Sequence, residues 1–278
     1  MEQRVVVGIS GTEAAHPAAE WAIGYAADTS ASLEFVHVVD VAWRSTPQTF
    51  AEQALLQAEQ KLRQRIEQAR ILHPRMKIHS TALVGDPNRV LAEYAGKDML
   101  VLGNRPLQRP GLHPFTTRAV RIARRASGSV AVFPDSVDPA ARGLVVGVDG
   151  SEVSDAALAF AAQEADRLGD PLKAVHAWHA PTPWSDEPIG WPGASEDEEE
   201  RIVLAEAVAG LGVDYPDLVV NSEVMLARPA NALYDAGLGA RMLVVGSHGY
   251  KGFEKAWLGS TSEELLLALP CPVAVIRP

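Results

Sequence analysis

The amino-acid sequence predicts an α/β protein built from two tandem units, each a doubly wound, five-stranded parallel sheet. Short continuous apolar runs, which suit parallel strands buried on both faces, alternate with longer stretches of helical periodicity. The same alternation recurs in the second half of the 278-residue chain at a nearly constant spacing. Strand and helix alternation of this kind requires right-handed crossovers, with helices on both faces of the sheet.

Each predicted strand of the first half has a counterpart in the second half. The offset is 139 residues at the first two strands, 142 at the turn after the third, and 143 at the last two. In chain order the pairs are 5–9 with 144–148, 33–39 with 172–178, 78–84 with 218–226, 99–102 with 243–245, and 129–133 with 272–276. The offset changes only in predicted connections, which indicates a tandem duplication of one unit.

The predicted helices follow the strands in both halves, with one difference after the second strand. Helices are expected at 17–29, 50–72 and 88–95, and again at 154–168 and 230–238. The first half has the long helix 50–72, with an apolar stripe of Leu55, Leu62 and Ile66. The second half has instead a loop rich in Pro and Trp, 181–193, followed by an acidic helix start, 196–200.

Two features of that variable region have alternative interpretations. We interpret the acidic run 196–200 as a solvated turn that complements the helix dipole, rather than as a partner site. Trp184 and Trp191 in the preceding loop either cover a ligand or pack on the domain, and the sequence favours neither.

The segment 134–142 is the predicted linker because it contains two prolines among small and polar residues. We therefore predict an N-terminal domain at 1–137 and a C-terminal domain at 143–278.

Composition restricts the classes of function. With 47% hydrophobic residues the chain can bury a full core, and no apolar run approaches the roughly 18 to 20 residues of a membrane span. No signal-peptide pattern opens the chain, so we expect a soluble, cytoplasmic protein that does not bind membranes. The net charge of −10 argues against nucleic-acid binding. The single cysteine, Cys271, lies in an apolar strand and is expected to be a core residue.

A glycine-lined stretch near the C-terminus is the strongest candidate site. Gly246 and Gly249 directly follow the fourth strand of the second half, and Gly259 precedes a predicted helix. We expect Ser260 to cap that helix in a capping box with Glu263. Glycines let backbone N–H groups approach a phosphate, and a helix N-terminus offers unpaired donors, so the stretch predicts an anion site.

These residues and one aspartate carry a family resemblance. Gly246, Gly249, Gly259 and Ser260 match Gly-x2-Gly-x9-Gly-(Ser/Thr), and Asp149 stands in a Val-Asp-Gly-Ser sequence after the first strand of the second half. On this basis the chain resembles the universal stress protein family in its tandem two-domain form, over essentially its whole length. The resemblance implies a Rossmann-like fold of the adenine nucleotide alpha hydrolase type, with ATP as ligand.

The resemblance also implies roles for individual residues. It places Asp149 on the adenosine part of ATP, the backbone of Ala177 on the adenine, and Thr261 and Ser262 with Ser260 on the phosphates. Lys251 and Lys255 either screen phosphate charge or are solvated, and His248 is a weak candidate for catalysis. Because Glu263 and Glu264 stand beside the same helix start, we expect ATP binding to depend on Mg²⁺.

The first half departs from the motif at most positions. Ser10 replaces Asp149, Pro106 replaces Gly249, Thr116 replaces Gly259, Thr117 replaces Ser260 and Arg118 replaces Thr261, while Gly103 keeps the position of Gly246. We therefore predict a degenerate N-terminal site that binds ATP weakly or not at all. The arginines near it either hold a different anion or are solvated, and these are Arg105, Arg109, Arg118 and Arg121. The repeat also suggests that the fold as such does not need the glycines.

The predicted function is a nucleotide-dependent regulator of stress response or dormancy, with ATP held by the C-terminal domain and an unidentified regulatory protein as partner. The sequence contains no Walker A motif and no nucleophile elbow, so at most slow ATP hydrolysis is expected. A slow ATPase or an adenylyl-transferring enzyme is the alternative, and a purely structural role for the N-terminal unit is a third. The resemblance implies that the two domains pair through their fifth strands, and it leaves a homodimer open.

Overall fold

The computed structural model describes residues 3–9, 16–40, 48–104, 117–178, 194–249 and 258–278. The chain divides into two compact units, Met1–Val137 and Asp138–Pro278, called unit 1 and unit 2 below.

Unit 1 contains a five-stranded sheet in the order β3-β2-β1-β4-β5. Every recorded pairing within it is parallel. Its elements are β1 Arg4–Gly8, α1 His16–Thr29, β2 Ser32–Val39, α2 Gln48–Leu72, β3 Ile78–Val84, α3 Pro87–Ala95, β4 Met99–Asn104, α4 Arg118–Ala123 and β5 Val130–Pro134.

Unit 2 repeats this plan, with the strand order β8-β7-β6-β9-β10 and parallel pairing throughout. Its elements are β6 Leu144–Gly147, α5 Glu152–Leu168, β7 Leu172–Trp178, α6 Ala194–Val208, α7 Leu211–Asp214, β8 Val220–Leu226, α8 Pro229–Gly237, β9 Met242–Gly246, α9 Ser260–Ala268 and β10 Val273–Ile276. The predicted fold class, two tandem doubly wound α/β units, is confirmed.

The strand order fixes where a ligand can bind in unit 2. The first strand, β6, lies between β7 on one side and β9 on the other, so the chain reverses its direction across the sheet at β6 and β9. In open parallel sheets the ligand crevice lies beyond the carboxyl ends of the strands at such a reversal. The loops after β6 and β9 are the two that carry Asp149 and Gly249.

The burial of β9 and α9 explains the clear apolar pattern of these two elements in the sequence. Leu243 and Val244 of β9 are fully buried, as expected for a strand covered on both faces. On α9, Leu265 and Leu266 are also fully buried, and burying such a side chain contributes about 1.5 to 3 kcal/mol. These two leucines therefore anchor α9 in the core of unit 2.

Cys271 is buried, as predicted, and its thiol donates a hydrogen bond to the carbonyl of Pro272 at 3.4 Å. Burial raises the pKa of the Cys271 thiol to about 12, above the ordinary value of 9.0. At pH 8 the thiolate fraction is then about a thousandfold below that of an ordinary thiol. We expect no labelling of the folded protein by a thiol reagent at pH 8 over minutes, and complete labelling in denaturant. Rapid stoichiometric labelling of the folded chain would contradict this assignment.

None of the helices in the described ranges has both the length and the hydrophobicity needed to cross a membrane.

Candidate functional site

The carboxylate of Asp149 is held in place by the turn that follows β6. Gly150 has φ +75°, a left-handed conformation that favours glycine, and Ser151 caps α5. The Ser151 hydroxyl and backbone N–H both donate to Oδ1 of Asp149, at 2.6 and 3.1 Å. The backbone N–H of Asp149 is 3.3 Å from the buried hydroxyl of Ser154. The side chain is therefore fixed at the carboxyl end of β6.

Gly249 lies directly against this carboxylate. A Cβ atom placed on Gly249 would collide with Oδ2 of Asp149. The structure thus brings together two residues that are 100 positions apart in the chain, because β6 and β9 are neighbouring strands. Only glycine leaves room for Asp149 in its present position.

The other two motif glycines have packing reasons of their own. A Cβ on Gly246 would lie 2.9 Å from Cγ1 of Val153, in the first turn of α5. A Cβ on Gly259 would lie 3.2 Å from Cα of His248, and the Gly259 N–H donates to the Ser247 carbonyl at 2.6 Å. Close packing in unit 2 is therefore a second reason for a glycine at these two positions, although unit 1 has the same strand order with Thr116 in place of Gly259.

The N-terminus of α9 differs from the predicted capping box. Gly259 is the N-cap, with φ −66° and ψ 154°, and Ser260 is the first helical residue. The prediction is wrong by one residue because Gly259 takes the extended backbone conformation and the first intrahelical bond runs from the Glu263 N–H to its carbonyl. Gly259 supplies no capping side chain. The N–H groups of residues 260–262 have no partner within the helix and form a ready anion site.

The three hydroxyl residues at this helix start differ in exposure. Ser260 is exposed and Thr261 is half-buried. Ser262 is buried, and its hydroxyl donates to the carbonyl of Gly246 at 2.6 Å. The Ser262 hydroxyl therefore connects α9 to the end of β9, and its backbone N–H is the group that remains for a ligand.

Ala177 directs its backbone toward the crevice. The Val175 carbonyl accepts from the Val148 N–H at 2.9 Å, so Val175 turns its polar backbone groups toward β6. Alternate residues of a strand share this orientation, and Ala177 therefore also points toward the β6 side. Because β6 ends at Gly147, Ala177 faces the space beyond that end, next to Asp149. This placement suits the predicted contact between its backbone and an adenine ring.

The charges around α9 are better balanced than the sequence suggested. A guanidinium nitrogen of Arg228, the residue before α8, lies 3.1 and 3.3 Å from the two carboxylate oxygens of Glu264. Glu264 therefore already has a cation, and the electrostatic argument for Mg²⁺ is weaker than it was from sequence. Among the described residues, no three His, Cys, Asp or Glu side chains are grouped so that they could hold a metal ion. A magnesium ion would have to be held mainly by the phosphates of a nucleotide.

His176 was matched with His37 in the repeat but was given no role from sequence. It is buried, and its Nδ1 lies 2.7 Å from the carbonyl of Val148, directly before Asp149. Its Nε2 lies 2.6 Å from Glu200 on α6. The interpretation of the acidic run as solvated is therefore wrong for Glu200, although Glu198 and Glu199 are exposed.

The other predicted side chains are only partly described. The ring of His248 has a partner, because its Nδ1 lies 3.0 Å from the hydroxyl of Ser247. The following predicted residues lie outside the described ranges: Ser10, Arg105, Pro106, Arg109, Thr116, Trp184, Trp191, Lys251 and Lys255.

Unit 1 presents a different helix start at the equivalent place. Thr117 is the N-cap of α4, and its hydroxyl accepts from the N–H of Val120 at 3.3 Å. Arg118, which replaces Thr261, forms an ion pair with Asp40 at 3.6 Å. In unit 1 the Thr117 side chain therefore binds one backbone N–H group in the first turn of the helix. Gly259 has no side chain that could do this, so the N–H groups in the first turn of α9 stay available.

Comparisons with known proteins agree with the repeat. A family model described as the universal stress protein family matches residues 1–134 and again 141–277. Universal stress protein Rv2005c of Mycobacterium tuberculosis is 35% identical over 292 residues, covering 98% of this chain and 96% of the relative. Universal stress protein Rv1996 of the same organism is 32% identical over 304 residues, covering 98% and 94%.

A solved structure shows the same fold. The crystal structure of a universal stress protein from Archaeoglobus fulgidus DSM 4304 aligns with 99% of this chain, and the alignment includes 96% of the solved chain. The TM-score is 0.69 and the sequence identity is 17%.

Proposed function

The chain belongs to the universal stress protein family, and on this premise we propose that unit 2 binds ATP and that ATP occupancy regulates a partner protein during stress or dormancy. The observation that carries the proposal is the contact between Gly249 and the carboxylate of Asp149, beside a helix start that Gly259 leaves uncapped. These groups come from two loops, the β6–α5 and β9–α9 connections, and meet at the reversal point of the sheet.

The residues present fit the parts of the nucleotide. The Asp149 carboxylate is a hydrogen-bond acceptor suited to the hydroxyls of a ribose, and the backbone of Ala177 is directed at the space where an adenine would lie. The N–H groups of Ser260, Thr261 and Ser262, at the positive end of the α9 dipole, suit the phosphates. In this arrangement Gly246, Gly249 and Gly259 allow the loops to approach one another closely.

Unit 1 is proposed to have lost this function. Its α4 has a side-chain cap from Thr117, and Arg118 is paired with Asp40 beyond the end of β2. Both features replace groups that the proposed site in unit 2 keeps available. We therefore expect ATP to bind unit 2 alone.

A regulatory role predicts binding with little turnover. We expect ATP, or AMP derived from it, to remain with the purified full-length protein, and mass spectrometry of the released nucleotide identifies it. We expect hydrolysis below about one ATP per minute, against the ordinary enzyme range of about 1 to 10³ s⁻¹. Turnover within that range, or transfer of an adenylyl group to an acceptor, would favour the alternative of an ATPase or adenylyl-transferring enzyme.

The remaining parts of the proposal do not rest on the contacts described above. They are a cytoplasmic location, pairing of the two domains through their fifth strands, a possible homodimer, an unidentified regulatory partner and a role for Mg²⁺. Light scattering of the purified chain tests the homodimer, and ATP titration with and without EDTA tests the role of Mg²⁺.

A further inference from the structure

Both ring nitrogens of the buried histidine His176 are engaged, and the two partners lie on different elements. Nδ1 faces the carbonyl of Val148 at 2.7 Å, and Nε2 faces a carboxylate oxygen of Glu200 at 2.6 Å. The side chain of His176 is 7% exposed, while that of Glu200 is 32% exposed. A histidine on β7 thus connects the end of β6 to α6.

The two contacts together determine where the protons lie. A carbonyl oxygen only accepts, so Nδ1 must carry a proton. The contact between Nε2 and Glu200 is a hydrogen bond only if a second proton lies between them, either on the ring or on the carboxyl group. When that proton is lost, a ring lone pair faces a carboxylate oxygen and the connection to α6 is lost. The bond to Val148 remains in either case.

The helix that carries Glu200 also packs on the turn that positions Asp149. A Cβ placed on Gly150 would lie 3.2 Å from Cγ1 of Val203, so α6 lies close over this turn. Leu204 on the same helix is 2% exposed, which shows that this face of α6 is buried. The His176–Glu200 bond and the Val203–Gly150 contact therefore hold α6 on the residues that flank Asp149.

A comparison with unit 1 distinguishes the backbone bond at Nδ1 of His176 from the carboxylate bond at Nε2. His37 of β2 makes the same backbone bond, from Nδ1 to the carbonyl of Ile9 at 2.7 Å. The described residues of unit 1 provide no carboxylate partner for its second nitrogen. The backbone bond is thus common to both units, whereas among the described residues the carboxylate bond is found in the unit that has Asp149 and an α9 without a side-chain cap.

We propose that His176 is a positioning residue for the nucleotide site of unit 2, acting through the Val148–Gly150 turn, and that its proton-dependent bond to Glu200 couples α6 to that site. This inference rests on the proposed binding of ATP by unit 2. Loss of the shared proton frees α6 from β7, loosens the turn that positions Asp149, and weakens nucleotide binding.

Among the described residues of β7, β8 and the turn after β6, the other charged groups near His176 are already paired. On the β8 side its neighbour in register is Val224, while Glu223 lies on the opposite face in an ion pair with Lys173 at 2.6 Å. Asp149, beyond the end of β6, accepts from Ser151.

The described residues of the other neighbouring helices, α5 and α8, add no competing charge next to the ring. On α5 the residues buried toward the sheet are mainly alanines, and the buried Glu164 pairs with Arg167 more than three turns from the start of the helix. Helix α8 packs on the other face of the sheet, where Leu233 lies against Gly147. Within the part of the chain that the structure describes, Glu200 is therefore the carboxylate that contacts His176.

The test is ATP titration of the full-length protein between pH 5.5 and 8.5, for the wild type, Glu200→Gln and Glu223→Gln. A glutamine amide can donate to a neutral Nε2, so Glu200→Gln keeps the bond to α6 without needing the titrating proton. We expect the wild type to lose about five- to tenfold in affinity relative to Glu200→Gln between the acidic and the alkaline end of this pH range. The ratio of the two affinities cancels the titration of ATP itself. Glu223→Gln, which removes the same charge from the opposite face, should follow the wild type.

A constant ratio of wild-type to Glu200→Gln affinity across this pH range would overturn the inference while leaving ATP binding intact. Equal behaviour of Glu223→Gln and Glu200→Gln would also overturn it, because the effect would then be one of net charge. If the wild type binds no ATP at any pH, the proposed function fails and the inference fails with it. Ring ¹⁵N NMR gives a reading without nucleotide: Nδ1 of His176 should carry a proton in the wild type and in Glu200→Gln, because its bond to the Val148 carbonyl is the same in both.

Discussion

Replacing Gly249 with proline is expected to abolish ATP binding by unit 2, with a loss of at least about a hundredfold in affinity, or about 2.7 kcal/mol. The new side chain would occupy the position of the Asp149 carboxylate, and the ring would also remove a backbone N–H and fix φ. Calorimetric titration with ATP measures the loss. Because Gly249 lies in a loop beyond the end of β9, circular dichroism and the melting temperature should change little.

Two further substitutions make this prediction specific. Gly249→Ala keeps the N–H but still displaces Asp149, so we expect an intermediate loss of about tenfold. Gly210→Ala, in the same unit, serves as the control because a Cβ there meets nothing within 4 Å. Unchanged ATP affinity in Gly249→Pro would show that the nucleotide binds elsewhere.

Replacing Asp149 with alanine is the second large effect. It removes the acceptor proposed for the ribose, and hydrogen bonds to a charged group contribute about 1.5 to 3 kcal/mol, which corresponds to a loss of roughly ten- to a hundredfold in ATP affinity. It also removes the acceptor for the Ser151 hydroxyl and N–H, so some of the loss comes from a looser turn.

A pair of companion variants separates these two contributions. Asp149→Asn keeps an oxygen that accepts from Ser151 but loses the charge, so it should keep the melting temperature of the wild type and still bind ATP more weakly. Asp155→Ala removes the same charge from an exposed position in the first turn of α5 and should bind ATP normally. If Asp149→Ala binds ATP as tightly as the wild type does, Asp149 is not part of the nucleotide site.

The fold could be predicted closely because two independent signals agreed. Buried parallel strands appear in sequence as short continuous apolar runs, and the duplication showed each run a second time. The first strand, predicted at 5–9, forms Arg4–Gly8, and the third strand of unit 1 has the predicted bounds, Ile78–Val84. Strand order was not predicted, because right-handed crossovers permit more than one arrangement of five parallel strands, and the order comes from the structure.

The site was predicted less completely because its contacts are not local. The family resemblance pointed to Asp149 and Gly249, but only the structure shows that they touch. His176 and Glu200 are 24 residues apart on different elements, and Arg228 and Glu264 are 36 apart. No spacing rule connects such pairs.

The N-cap of α9 was predicted at Ser260 instead of Gly259 for a different reason. Serine is the more favoured N-cap residue, and a sequence rule selects it, but the backbone of Gly259 was already extended by its bond to Ser247.

The stoichiometry of ATP binding to the full-length protein tests the central claim most directly. Calorimetric titration of nucleotide-free protein should give one ATP per chain, and the Gly249→Pro variant should give none. Two sites of similar affinity per chain, or one site that survives Gly249→Pro, would contradict the assignment of ATP to unit 2.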